Sequence, residues 1–351
     1  MGLGPGSYDF NEVGERAHLR PVDWRNPDHK RIVAACLVEG SECSFMTKMT
    51  PSMEPFTGLN ILPTCLQKLQ NVIAFRGTVL KPESFKEDVK LNIQILHQRF
   101  HKKKRTIKAT GEVESVLKDN PGPVWLAGHS LGSALAIQAG KKEAEKGVFL
   151  ETFLFNPPYP SLGPEIIGDK EIRNWFQKKK RKLKIKLANR IKGYKQIHED
   201  IVKFAKLSEW SPHVFVNQND RICSGYIGYF KQRKMSSLEI NSIEFEWVLD
   251  AMYSTRALFK DAVKRAFKKK SDYEPFYLFP CASLTINTGD GDEERESHEI
   301  RQWWMEDFQP KKTPYSFDLS KLLKALGEQV ISRHHLLRSS QSLVAMGAFR
   351  K

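Results

Sequence analysis

The chain has 351 residues, of which 40% are hydrophobic and 11% aromatic, enough for a packed core and too apolar for a disordered protein. Its net charge of +15 favours anionic membrane surfaces or nucleic acid, provided the positive groups gather on one face. No stretch approaches about eighteen consecutive apolar residues, which excludes a bilayer-spanning helix.

Five cysteines (Cys36, Cys43, Cys65, Cys223 and Cys281) are scattered without a CxxC pair. That pattern argues against zinc or a disulfide framework and points to a reducing intracellular compartment, cytoplasmic or at a membrane surface. The opening "MGLGPGSYDF" lacks the basic start and apolar middle of an export signal. Gly6 also stands where a myristoylation signal needs Ser or Thr.

Along the chain, "RIVAACLVE" and "NILPTCL" read as strands or short helices in an entry region. "NVIAF" (71–75) is a short apolar run ending at Arg76-Gly77, the pattern of a buried strand. Ser84 and Glu87 have capping-box spacing, and Phe85, Val89, Ile93, Leu96 and Phe100 recur at helical intervals. A polar helix follows and stops at "DNPG" (119–122). "VWLA" is the next expected strand, "SALAIQAGKKEAEKG" the next helix with Gly147 at its end, and "VFLETFLFNPP" another strand. Strand and helix alternate, which predicts a parallel sheet covered by helices.

A basic helical segment (170–206) interrupts the alternation, and "HVFVNQND" (213–220) resumes it. A second helical stretch is expected over roughly 243–270. "CASLTINTGDGDEERESHEIRQWW" then reads as a strand, an acidic loop and a short helix.

"VWLAGHSLGSALA" places Ser130 between a buried strand and a helix. A serine hydroxyl is a poor nucleophile that needs a base, an orienter for the base, and donors for an oxyanion. A G-x-S-x-G turn holds the serine in a strained backbone at the sheet edge, where side chains at the flanking positions would clash. Gly128 and Gly132 supply the missing bulk. His129, inside the motif, is expected to pack or make a local hydrogen bond.

"GHSLGSALA" together with "VIAFRGT" resembles the class 3 (fungal triacylglycerol) lipases of the α/β-hydrolase superfamily. "PVDW" with Trp24 and "RQWW" (301–304) resemble a plant lipase-like branch of that family. The resemblance spans about residues 10–325 and implies an α/β-hydrolase fold: a mostly parallel sheet flanked by helices, here with a basic helical insert at about 165–207 and a tail at 326–351. Ser133 departs from the pattern, since many class 3 lipases carry a second glycine there.

The resemblance implies that the amides of Thr78 and Leu131 are the oxyanion donors. It also orders the remaining residues as acid, then histidine. Asp220 follows a short strand and matches the family's acid, whereas Asp250, Asp261 and Asp272 lie in or beside helical, basic segments. Only His298, His334 and His335 follow Asp220. The plant branch has a histidine just before its "QWW", which favours His298, with His334 and His335 as alternatives. No metal or cofactor is implied.

These residues give two readings. The first is a serine carboxylic-ester hydrolase acting on acyl esters, lipid among them, through Ser130, His298 and Asp220. The second is a lipase-like binding or signalling protein that keeps the pocket and has weak or no turnover. A GDSL hydrolase would need a Gly-Asp-Ser block near the N-terminus, and the sequence has none, although names in this branch sometimes borrow that label.

The basic runs "KKKRKLKIKLANRIKGYK" (178–195), "KDAVKRAFKKK" (260–270) and "HKKKR" (101–105) hold enough charge to attract an anionic membrane. Leu183, Ile185, Leu187 and Ile191 interleave with the first run and suit an interfacial helix. Nucleic-acid binding finds no fold signal or aromatic platform. The segment after Thr78 (79–90) stands where lipases of this family have a lid, and it is short and polar.

Overall fold

The structure, a computed structural model, describes residues 23–40, 46–49, 71–77, 104–119, 122–160, 170–236, 248–267, 278–289, 296–305 and 311–315. Thr78, the segment 79–90, the expected helix over 84–100, and His334 and His335 lie outside them.

The first helix among the described residues is α1 (Pro27–Glu39), capped by Asn26, whose side chain accepts from the Asp28 amide, with Pro27 in the first turn. "RIVAACLVE" therefore folds as helix. Then come β1 (Met46–Met49), β2 (Asn71–Phe75), α2 (Lys104–Asp119), β3 (Val124–His129), α3 (Leu131–Glu145) and β4 (Glu151–Phe155). The basic segment forms α4 (Lys170–Lys192) and α5 (Tyr194–Lys206), broken at Gly193, whose φ is 75°. A 3₁₀ turn (Leu207–Glu209), β5 (His213–Asn217), α6 (Gly225–Ser236), α7 (Thr255–Ala266), β6 (Ala282–Asn287), two further 3₁₀ turns (Glu296–His298 and Ile300–Trp303) and β7 (Lys311–Tyr315) follow among the described residues.

Among the described residues, seven strands form one sheet in the order β1 to β7. Strands β2 to β6 pair in parallel, and β1 and β7 close the two edges antiparallel. This is an α/β-hydrolase sheet. Each parallel crossover advances by one strand, so right-handed connections place all crossover helices on the same face.

The cores agree. Ile73, Val124, Leu126, Leu154, Val214 and Val216 pack with Ala134, Leu135, Ile201 and Phe204 from the crossover helices. The alternate residues Val72, Ala74, Trp125, Ala127, Phe153 and Phe215 pack against α1 and Trp303 on the opposite face. Period-2 alternation with both faces apolar explains why these strands read as continuous hydrophobic runs.

The basic segment turns part of itself inward. Ile191 is buried, and Ile185 and Leu187 pack against the core, so only Leu183 of the four interleaved apolar residues points to solvent. An interfacial role for the other three is corrected by that packing. Lys184 pairs with Asp250 at 2.6 Å and Lys192 with Asp261 at 2.5 Å. Two of the aspartates set aside as catalytic acids thus tie α4 to the 250–261 stretch.

Candidate active site

Chemistry-bearing side chains gather at the carboxyl ends of successive parallel strands, where open α/β sheets bind their ligands. Ser130 follows β3, Asn156 follows β4, Asp220 follows β5, and His298 follows β6.

Ser130 sits at φ 51° and ψ −122°, a conformation non-glycine residues avoid, between the end of β3 and the start of α3. Its surroundings compel the turn. A Cβ at Gly128 would lie 2.6 Å from the Gly132 carbonyl, and one at Gly132 would overlap the Phe75 carbonyl of β2. The Ser130 amide donates to the Phe155 carbonyl at 2.9 Å. Ser133, in place of a second glycine, donates its hydroxyl to the Gly128 and Phe155 carbonyls at 2.5 and 2.9 Å. The substitution therefore adds a tie across the turn instead of opening it.

His298 Nε2 lies 3.0 Å from Ser130 Oγ, and its Nδ1 lies 2.8 Å from Asp220 Oδ2. A buried carboxylate can only accept, so Nδ1 carries the proton and Nε2 is left to accept from the serine hydroxyl. Ser130, Asp220 and His298 are all buried. Burial alone would raise the Asp220 carboxyl. The neighbouring His298 ring and donors from Cys223 and Asn156 outweigh burial and hold it below the usual range.

Asp220 Oδ1 accepts from the Ile222 amide at 2.9 Å. Its Oδ2 also takes the Asn156 amide at 2.7 Å and the Cys223 thiol at 2.9 Å. Such a carboxylate is fixed in plane as well as in charge.

His129 points its Nε2–H at the His298 carbonyl, 2.7 Å away, with the two rings 5.0 Å apart. Burial, then the His298 ring, push His129 down to about 3, so it stays neutral and acts as a donor. Leu131 is the first residue of α3, where an amide has no carbonyl one turn earlier to receive it. Gly77 lies against this turn, a Cβ there falling 3.0 Å from Ser130 Cβ and 3.6 Å from the Leu131 nitrogen.

The "RQWW" stretch holds the His298 turn in place. Gln302 Oε1 accepts from Asn217 at 2.7 Å and Asn287 at 2.8 Å, at the ends of β5 and β6. Its Nε2 donates to the Ser297 and Glu299 carbonyls at 2.8 Å each. Arg31 of α1 donates to the Trp303 carbonyl, and Trp304 Nε1 donates to Glu39 at 2.5 Å. Trp303 is fully buried against Phe155 and Phe215, a burial that contributes about 2–3 kcal/mol.

Sequence reasoning missed Asn156, Cys223 and Gln302. The one local signal was an asparagine, a residue tolerant of positive φ, standing between a strand end and Pro157-Pro158.

Residues 72–202 match the family model for class 3 lipases. Over 346 residues the chain is 29% identical to an Arabidopsis thaliana protein named as a GDSL esterase/lipase, an alignment covering 85% of this chain and 95% of that one. No solved structure matches it. With nearly all of β2, the serine turn, the whole of α4 and most of α5 inside the matched segment, the chain resembles the class 3 lipases, a family of the α/β-hydrolase fold.

Proposed function

We propose that the protein is a serine carboxylic-ester hydrolase whose nucleophile is Ser130, base His298 and acid Asp220. The observation that carries this reading is the unbroken path from Ser130 Oγ through the His298 ring to Asp220, with steps of 3.0 and 2.8 Å.

Ser130 Oγ attacks the ester carbonyl carbon while His298 Nε2 takes its proton. The resulting imidazolium is stabilised by Asp220, which keeps its own negative charge. The carbonyl oxygen becomes an oxyanion at the head of α3, where the Leu131 amide and the helix dipole favour negative charge. Thr78 is proposed as the second donor. His298 returns the proton to the departing alcohol, and water, activated by the same ring, releases the acid from Ser130.

Acyl esters of lipids are the proposed substrates. The outer faces of α4 and α7 support an anionic membrane as the docking partner. Lys179, Lys182, Lys186 and Arg190 are exposed beside Trp175 and Leu183. On α7 and the residue that follows it, Phe259, Val263 and Phe267 recur every fourth position and are 67%, 41% and 70% exposed.

The test is fluorophosphonate labelling with hydrolysis of p-nitrophenyl esters of graded chain length. Wild type is modified at Ser130, whereas Ser130→Ala is unlabelled and loses about 10⁴-fold or more in kcat. His298→Ala loses comparably. A wild-type protein that is neither labelled nor active would instead be the binding or signalling form of the fold.

A further inference from the structure

From outside the segment 296–303, the side chains of His129, Arg31 and Asn156 bond its backbone carbonyls. Of these, Asn156 also touches the proposed acid. Its Nδ2 donates to Asp220 Oδ2 at 2.7 Å and to the Ser297 carbonyl at 3.0 Å, while its Oδ1 accepts from Trp303 Nε1. Its own amide donates to the Phe215 carbonyl of β5 at 2.9 Å. The residue is fully buried and sits at φ 44°.

Asp220 and His298 follow the paired strands β5 and β6, but each lies past the end of that ladder at Asn217 and Asn287, Asp220 on a turn and His298 on a 3₁₀ turn. The Ile222 amide and Cys223 thiol hold Asp220 from within its own turn, and Gln302 holds the His298 turn from within its own segment, so these bonds fix each part but do not join the two. Asn156, rooted on a third strand, reaches both. We propose that Asn156 is a positioning residue for this array, clamping the Asp220 carboxylate to the segment that carries His298. The inference rests on the hydrolase reading above. It explains why the amide is spent on these partners, and why a left-handed backbone is retained to aim it.

Two variants separate the clamp from simple space-filling. Asn156→Gly keeps a backbone at ease with positive φ and deletes the side-chain bonds. Its kcat on a p-nitrophenyl ester is expected to fall about 10- to 100-fold, with KM changed less than about twofold. Asn156→Asp keeps the shape and sets a second carboxylate against Asp220. That charge favours protonated imidazole, so the acid limb of kcat/KM moves to higher pH. The shifted limb reports that residue 156 faces the Asp220–His298 pair, and the fall in kcat of Asn156→Gly at nearly constant KM reports the clamp.

The proton shared by His298 and Asp220 gives a third readout, an NMR resonance downfield of the amides that shifts or broadens in both variants. It needs no turnover. An unlabelled, inactive wild type would overturn the hydrolase reading alone, while this resonance still reports the clamp. Unchanged kcat, acid limb and resonance in folded Asn156 variants would overturn the clamp alone. If neither variant folds, Trp303→Phe removes the N–H that holds Asn156 Oδ1 while keeping an aromatic ring in that buried place, and unchanged kcat and resonance there overturn it equally.

Discussion

At the scale of single residues, the site is built by pairing each buried polar group with a partner that fixes its charge state. His129 shows what this costs in acid. Its burial, reinforced by the His298 ring, places it at about 3 against an ordinary 6.5. Between those values the unfolded chain binds the proton and the folded one does not, so stability falls as pH drops from about 6.5 toward 3. Above 6.5 the contribution is complete. His129→Phe keeps a ring and cannot protonate, so its urea midpoint should decline less steeply than that of wild type across this window. The depressed Asp220 carboxyl acts in the same direction in both proteins and cancels in the comparison. The variant also loses the donor to the His298 carbonyl, and kcat should fall severalfold. Parallel stability curves would show that the His129 ring is not held neutral by burial.

At the scale of elements, glycines mark where backbones must touch and where they need not. Gly132→Ala would drive a Cβ into the Phe75 carbonyl and push α3 off β2, so fluorophosphonate labelling should vanish even if the protein folds. Gly111 lies within α2, exposed, and a methyl group added there would meet nothing within 4 Å. Gly111→Ala should stabilise by about 0.5–1 kcal/mol in calorimetry. Elements of this kind were legible in the sequence. Apolar runs at 71–75, 124–129 and 213–217 are buried on both faces, and the serine turn announces itself through Gly128 and Gly132. The stretch expected as one helix over 243–270 breaks around Tyr253 before α7 begins. The Asn156 and Gln302 contacts were not legible, because the ones that join elements bring together residues far apart in sequence, as in Asn156 to Asp220 (64 apart) and Asn217 to Gln302 (85 apart). Periodicity reports the face a residue occupies and says nothing of what meets it across a sheet edge.

At the scale of the molecule, an excess of positive charge meets an exposed apolar stripe. The chain carries +15 overall. Some of that charge is spent internally, as in the Lys184–Asp250 and Lys192–Asp261 pairs, so the outward set on α4 is smaller than the sequence run suggests. Each basic side chain near an anionic bilayer contributes about 1 kcal/mol, screened beyond about 10 Å at 0.1 M salt. Phe259 and Phe267 would add an apolar contribution that salt does not screen. The two contributions can be read separately by co-sedimentation. Vesicles containing phosphatidylserine should bind the protein far more strongly than phosphatidylcholine alone, and the difference should fade as salt rises. Lys182→Glu with Lys186→Glu should remove the salt-dependent part. Phe259→Ser with Phe267→Ser should lower binding at every salt concentration, with the thermal unfolding midpoint as the control for folding. Equal binding to both vesicle types would overturn the electrostatic role of α4, and unchanged binding of the Phe pair would overturn that of α7. A surface that passes both tests would bring the protein to lipid before Ser130 meets an ester, making residence on the membrane a variable separate from the chemistry of the site.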